Sequence, residues 1–181
     1  MINKVIIGTW PLSGDLGFTD LKSVSETLAA CLANGFKNFD TASNYGNGFA
    51  ESCLGAMISN STDLKIHTKF GTKINGGKDY SNSALTSSLT GSLKRLRRDN
   101  VETVFLHNPR GNEFDSLGHK ELFSRLKNQG LVNYSGLSAA KGEVYASDEI
   151  SWIDNIMDDF NLLYLSNAEK YFSQNQKYFA R

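Results

Sequence analysis

The stretch FKNFDTASNY, residues 36–45, sets the reading of this chain. Phe36–Asp40 is a short apolar run that ends on a carboxylate, and a polar loop follows it and carries Tyr45. The pattern recurs: Leu64–Phe70 (LKIHTKF) has Lys69 near its end, and Glu102–His107 (ETVFLH) ends on an imidazole. Each run has the length and β-branched or aromatic content of a strand.

Helical patterns separate these runs. Leu21, Val24, Leu28 and Leu32 mark a helix over Leu21–Ala33, with Gly35 as its stop. Gly48–Ile58 reads as the next helix, and Ser81–Arg97 as a third, with Leu85, Leu89, Leu93 and Leu96 along one side. The basic end LKRLRR of that third helix suits the negative end of the helix dipole and reads as a solvated helix end, with phosphate binding as the minor alternative. Lys4–Gly8 is a first strand. Leu117–Asn128 is a helix stopped by Gly130, and Leu131–Ser138 is a fifth strand. Glu143–Met157 has a helical pattern, Phe160–Leu165 reads as a sixth strand, and the tail Ala168–Arg181 as a polar helix bearing aromatics. Strands alternating with helices at this spacing predict parallel strands joined by right-handed crossovers, in one domain spanning residues 1–181.

In a parallel α/β barrel the C-terminal strand ends share one mouth. Asp40, Tyr45, Lys69 and His107 then converge there. If Lys69 faces the interior, so does His67, as a layer-filling residue deeper in the barrel, while Thr68 and Phe70 face the helices. A free tyrosine titrates near 10, and an ammonium in contact favours its phenolate. The ammonium, withdrawn from water, needs the carboxylate of Asp40, and His107 can donate a hydrogen bond to a substrate carbonyl. That set makes Tyr45 a general acid.

Composition narrows the field. The 181 residues are 40% hydrophobic and 21% charged, with 19 Lys plus Arg against 19 Asp plus Glu. A net charge of zero gives no reason to expect a nucleic-acid or anionic-membrane partner. No apolar run approaches the ~18–20 residues that span a bilayer, and the N-terminus reads as a strand rather than a leader, so a cytoplasmic protein is expected. Cys31 and Cys53 have no ligand spacing and read as buried free thiols, and no metal-binding cluster is evident.

Taken together, GTWPLSG (8–14), GFKNFDTASNYGNGFAESCLG (35–55), IHTKFGTK (66–73), SLKRLRRDNVETVFLHNP (92–109) and LKNQGLVNYSGLSA (126–139) resemble the aldo-keto reductases. The resemblance implies an α/β fold of the (β/α)8 TIM-barrel type. It also implies NADPH, or less often NADH, as cofactor and reduction of an aldehyde or ketone. It makes Asp40, Tyr45, Lys69 and His107 the catalytic tetrad with Tyr45 as proton donor, and it places Thr9, Trp10 and Ser138 near the nicotinamide. Trp10 as a core-packing residue is the competing reading. The family's sixth-strand glutamine, which contacts the nicotinamide amide, has Tyr164 at the matching place.

A full barrel takes about 250 residues, so an incomplete barrel of about six βα units is expected, lacking the last two units and much of the family's phosphate grip. Open barrel edges favour a homo-oligomer or a completing chain. A truncated, non-catalytic remnant or interaction module is the alternative function.

Overall fold

The computed structural model describes residues 4–58, 61, 63–73, 75, 77–139, 143, 145–160 and 176–181. Seven strands form one parallel sheet in chain order: β1 (Ile7–Gly8), β2 (Asn38–Asp40), β3 (Lys65–Phe70), β4 (Val101–His107), β5 (Val132–Ser138), β6 (Asn155–Asp158) and β7 (Lys177–Ala180). Helices α1 (Leu21–Ala33), α2 (Phe49–Ile58), α3 (Asn82–Leu96) and α4 (Ser116–Asn128) fill the crossovers before β2, β3, β4 and β5. The result is an incomplete barrel of the TIM type: among the described residues no ladder joins β1 to β7.

The helices start where side chains can hold free backbone amides. Asp20 accepts from the Ser23 amide at α1, Ser81 from Ala84 at α3 and Asp115 from Gly118 at α4. Their apolar faces pack on the outer side of the sheet. Val24, Leu28, Leu54, Leu85, Leu89, Leu122 and Phe123 meet Ile66, Phe70, Val104 and Leu106 in one buried cluster.

The alternation along β3 follows the expected division. Thr68 donates to the Glu51 carboxylate on α2, and the Phe70 ring lies 5.6 Å from that of Phe123 on α4. On the opposite face the His67 ring stands 6.3 Å from Phe105 and 5.4 Å from Phe179. Phe105, Met157 and Phe179 form a separate inner cluster with Ile6 against it. Gly136 on β5 makes room for this layer, since a Cβ there would stand 2.4 Å from the Phe105 ring.

The C-terminal third departs from the sequence reading. The segment with the helical pattern, Glu143–Met157, is not helical over the described residues 145–154, which hold turns at 147–152, and its end is strand β6. Tertiary anchors outweigh the periodicity. The Tyr145 hydroxyl donates to Pro109 O, and Trp152 Nε1 to Ser116 Oγ at 3.2 Å. Asp154 accepts from the Ser135 amide and hydroxyl, both at 2.7 Å, which pins the start of β6 to β5. The sixth strand is therefore Asn155–Asp158 rather than Phe160–Leu165, of which residues 161–165 lie outside the described residues, as does Tyr164. The tail is not helical at its end: Lys177–Ala180 pairs with β6 along four residues. A four-residue strand is too short to declare a period. Cys31 and Cys53 are free and half-buried at the edge of the core, rather than fully buried.

Candidate active site at the C-terminal strand ends

Asp40 closes β2, Lys69 lies one residue before the end of β3, and His107 closes β4. Parallel pairing sets Asp40 against His67 and Lys69 against Phe105, so the three share one face in a stagger of two residues per strand. Tyr45 arrives by a different route, at the head of a 3-10 turn over Tyr45–Gly48. Inside that turn Gly46 and Asn47 take left-handed backbone angles (φ 56° and 55°). A Cβ at Gly46 would stand 2.3 Å from Ser13 O, so a glycine is what lets the turn close against the loop after β1. Asp15 ties the two loops together: it accepts from the Gly46 amide at 3.1 Å and from Trp10 Nε1 at 3.2 Å. The sequence reading had no signal for Asp15.

The four side chains meet around one ammonium. Lys69 Nζ donates to Asp40 Oδ1 and Oδ2 at 2.7 and 2.5 Å and to Thr41 O at 2.9 Å. It stands 4.9 Å from the centre of the Tyr45 ring. The rings of Tyr45 and His107 meet edge to face with centres 6.2 Å apart, and the Trp10 ring is equally far on the other side of Tyr45.

Lys69 is 1% exposed, so its charge is held by its neighbours rather than by water. Burial opposes the ammonium, but the Asp40 charge, the neighbouring Tyr45 and the bonds to Asp40 outweigh it and lift its pKa above the ordinary lysine value. Burial pushes the Asp40 carboxyl upward, with Lys69 and then Arg181 opposing. Two short bonds to an ammonium keep this pair ionised. His107 is pulled down to about 3, by burial first and then by Lys69, Arg181 and Lys78. At neutral pH it is an uncharged imidazole with a single N–H to give. Its carbonyl is fixed from below by the Tyr80 hydroxyl at 2.6 Å.

Ser138, at the end of β5, is buried beside His107, and Trp10 is about half exposed. Thr9 is buried, with its hydroxyl unpartnered among the described residues. The sequence reading missed Arg181. Its guanidinium donates to Ser138 Oγ at 3.0 Å, to Ala139 O at 3.2 Å and to Asp159 at 2.7 Å, which brings a cation from beyond β7 into this mouth. Turning the Asn108 amide end for end gives its NH2 three acceptors at 3.1–3.2 Å, namely Ser138 O, Ser138 Oγ and Ala139 O.

The basic end of α3 is also more than a solvated tip. Arg95 donates to Glu51 at 2.7 Å, and Arg98 donates to the carbonyls of Ile58 and Ser61, so α3 is clamped to α2 and the segment after it. Glu51, with no exposed surface, thus has Arg95 on one oxygen and Thr68 on the other.

A model of the Aldo/keto reductase family matches residues 4–170, and the chain belongs to that family. It is similar to the uncharacterized oxidoreductase YcsN of Bacillus subtilis, 28% identical over 156 residues, which are 79% of this chain and 51% of that one. A probable voltage-gated potassium channel subunit beta of Oryza sativa is 32% identical over 114 residues, 60% of this chain and 34% of that one. Among solved structures, the holo form of the aldo-keto reductase AKR11C1 from Bacillus halodurans superposes with a TM-score of 0.86 at 23% identity, over 98% of this chain and 61% of that one. The chain thus spans about a third to a half of these curated relatives, and the structural likeness is one of fold.

Proposed function

We propose that the C-terminal mouth of this barrel reduces the carbonyl of an aldehyde or ketone, with a reduced nicotinamide cofactor, NADPH or alternatively NADH, as hydride source. The observation that carries the reading is the buried Lys69 ammonium, gripped by Asp40 and Thr41 on one side and facing Tyr45 on the other. Family membership supports oxidoreductase chemistry in general; the roles below are our assignment.

Tyr45 gives its phenolic proton to the carbonyl oxygen as that carbon is reduced. The phenolate left behind is stabilised by Lys69, whose own charge is balanced by Asp40. His107, neutral at working pH, donates its N–H to the same oxygen and orients the carbonyl. Trp10 walls the substrate side of Tyr45.

The residues around Ser138 fit a nicotinamide dinucleotide. The unpartnered Thr9 hydroxyl, the Ser138 hydroxyl and the Arg181 guanidinium offer donors suited to an amide carbonyl and to phosphate oxygens. With Asn108 and Arg181 both donating to Ser138 Oγ, the serine proton is left for an acceptor. Bound at this mouth, the reduced nicotinamide would supply the hydride.

Among the described residues no helix is long and apolar enough to cross a membrane, and no cluster of His, Cys, Asp or Glu could hold a metal. We place the protein in the cytoplasm, as a single domain without nucleic-acid or membrane partners, and the outer edges of β1 and β7, unpaired among the described residues, are where a second copy would add strands. The alternative, a non-catalytic module, is favoured by one observation, the limited share of its relatives that the chain spans. Fluorescence titration with NADPH, followed by turnover of a generic aldehyde, separates the two. The reductase reading expects saturable micromolar binding and turnover; absence of both would leave the module.

A further inference from the structure

A cavity of about 730 Å³ lies away from Tyr45. It sits at the opposite, N-terminal end of the barrel, between the starts of β2 to β7, and is lined among others by Asn38, Lys65, His67, Glu102, Asn155 and Lys177. The inner layer of Phe105, Met157 and Phe179 separates it from the catalytic end. Its size is that of a small-molecule site.

His67 makes it more than a void. The residue is 3% exposed, lines the cavity, and has neither ring nitrogen bonded among the described residues. Burial draws its pKa down to about 4, so the free protein carries a neutral imidazole there with one donor and one acceptor unused. An unsatisfied buried group of this kind costs about 1–3 kcal/mol unless something bonds to it.

The charges of the wall say what that something is. Both carboxylates are already engaged: Glu102 accepts from Lys65 at 2.6 Å and from Asn133 at 2.9 Å, and Asp154 from Lys127 and Ser135. Lys177 has no ion-pair partner among the described residues, and its ammonium sits 5.3 Å from the centre of the Phe179 ring that flanks His67. Lys177, Lys69 and Lys65 all oppose a positive charge on His67, with Glu102 alone favouring it. Glu102 acts the most strongly of these four, but it is held by Lys65, so the wall charge without an ion-pair partner among the described residues is the Lys177 ammonium, and the spare donors are that ammonium and an imidazole N–H.

We propose that the cavity at the N-terminal end of the barrel is a second binding site, which takes a small organic molecule with an oxyanion head, a phosphate or a carboxylate, held by His67 and Lys177. The rings of Phe179 and Tyr134 offer its carbon skeleton an apolar wall. The site is independent of carbonyl reduction, and neither residue belongs to the tetrad.

The test is a titration of the 15N-labelled chain with inorganic phosphate and, separately, with benzoate, read at the side-chain nitrogens of its three histidines. The His67 signals move and saturate with at least one probe, and the tighter of the two tells phosphate from carboxylate. By calorimetry Lys177→Gln weakens binding about tenfold and His67→Phe removes it. Lys177 is exposed, so its variant folds whatever its role. His67 signals that stay fixed, or that drift without saturating, mean the imidazole bonds only to water and overturn the proposal. So does Lys177→Gln with unchanged affinity, or a response confined to His107, which would put the anion beside Arg181 instead.

Discussion

Lys69 and His67 stand two residues apart on β3, both inside the barrel and both buried, and their surroundings are opposite. Lys69 has three acceptors within 2.9 Å and a phenol beside it. His67 has aromatic rings around it and no hydrogen bond among the described residues. Burial is thus not what marks the functional level of this barrel. What marks it is a charge that the interior could not hold without its neighbours. The Lys69 ammonium is fully satisfied, whereas the His67 imidazole has no partner among the described residues and borders open space.

The largest effect follows from breaking the satisfied level. Lys69→Met leaves Asp40 buried without its cation and should cost about 3–5 kcal/mol in urea unfolding. Adding Asp40→Asn to it should restore a good part of that loss. If Lys69→Met unfolds at the wild-type midpoint, the pair is not buried as described.

The pH dependence comes next. The folded pKa values of His67 and His107, about 4 and about 3, lie below the ordinary histidine value of 6.5, and His119 is also lowered. The unfolded chain therefore binds protons first. Stability that is present above pH 6.5 is lost as the pH falls toward 4 for His67 and toward 3 for His107. Each histidine adds up to about 1.4 kcal/mol per pH unit in that window. Unfolding midpoints between pH 7 and 5 should fall steadily, and a flat profile would contradict the burial of all three rings.

Gly136→Ala tests the layer between the two levels. The new Cβ would press on the Phe105 ring, and an overpacked core costs about 1–3 kcal/mol. Thermal unfolding reads the change directly. The smallest effect has the opposite sign. His67→Phe removes two unpaired nitrogens next to open space and should leave the free protein about 1 kcal/mol more stable. It should also flatten the pH profile by one histidine's share. A clear destabilisation would show that His67 has a partner in the free protein.

How much of this could be read from the sequence depends on what each element is anchored by. The strands β2 to β5 and helices α1 to α4 announce themselves because their apolar residues follow one period and their ends carry caps and glycines. The convergence of Asp40, Lys69 and His107 was legible for the same reason, since parallel pairing leaves all three on one face near the C-terminal strand ends, each two residues beyond the paired position of the one before. The region after β5 was not. Its conformation is set by distant bonds from Tyr145 to Pro109, from Trp152 to Ser116 and from Asp154 to Ser135, and these have no local signature. Arg181 reaches Ser138 across 43 positions, and Asp15 reaches Gly46 across 31, so neither could be assigned from spacing. Glu51 has no signal in the sequence, and only packing shows it caught between Arg95 and Thr68.

The central claim is that the satisfied level of the barrel acts through Tyr45. It is tested most directly by comparing the wild-type chain with Tyr45→Phe, following NADPH oxidation by an aldehyde and NADPH binding on the same samples. The account predicts that the variant binds the cofactor as the wild type does and loses turnover by at least about a hundredfold, the usual weight of a general acid. Turnover by Tyr45→Phe at the wild-type rate would contradict it.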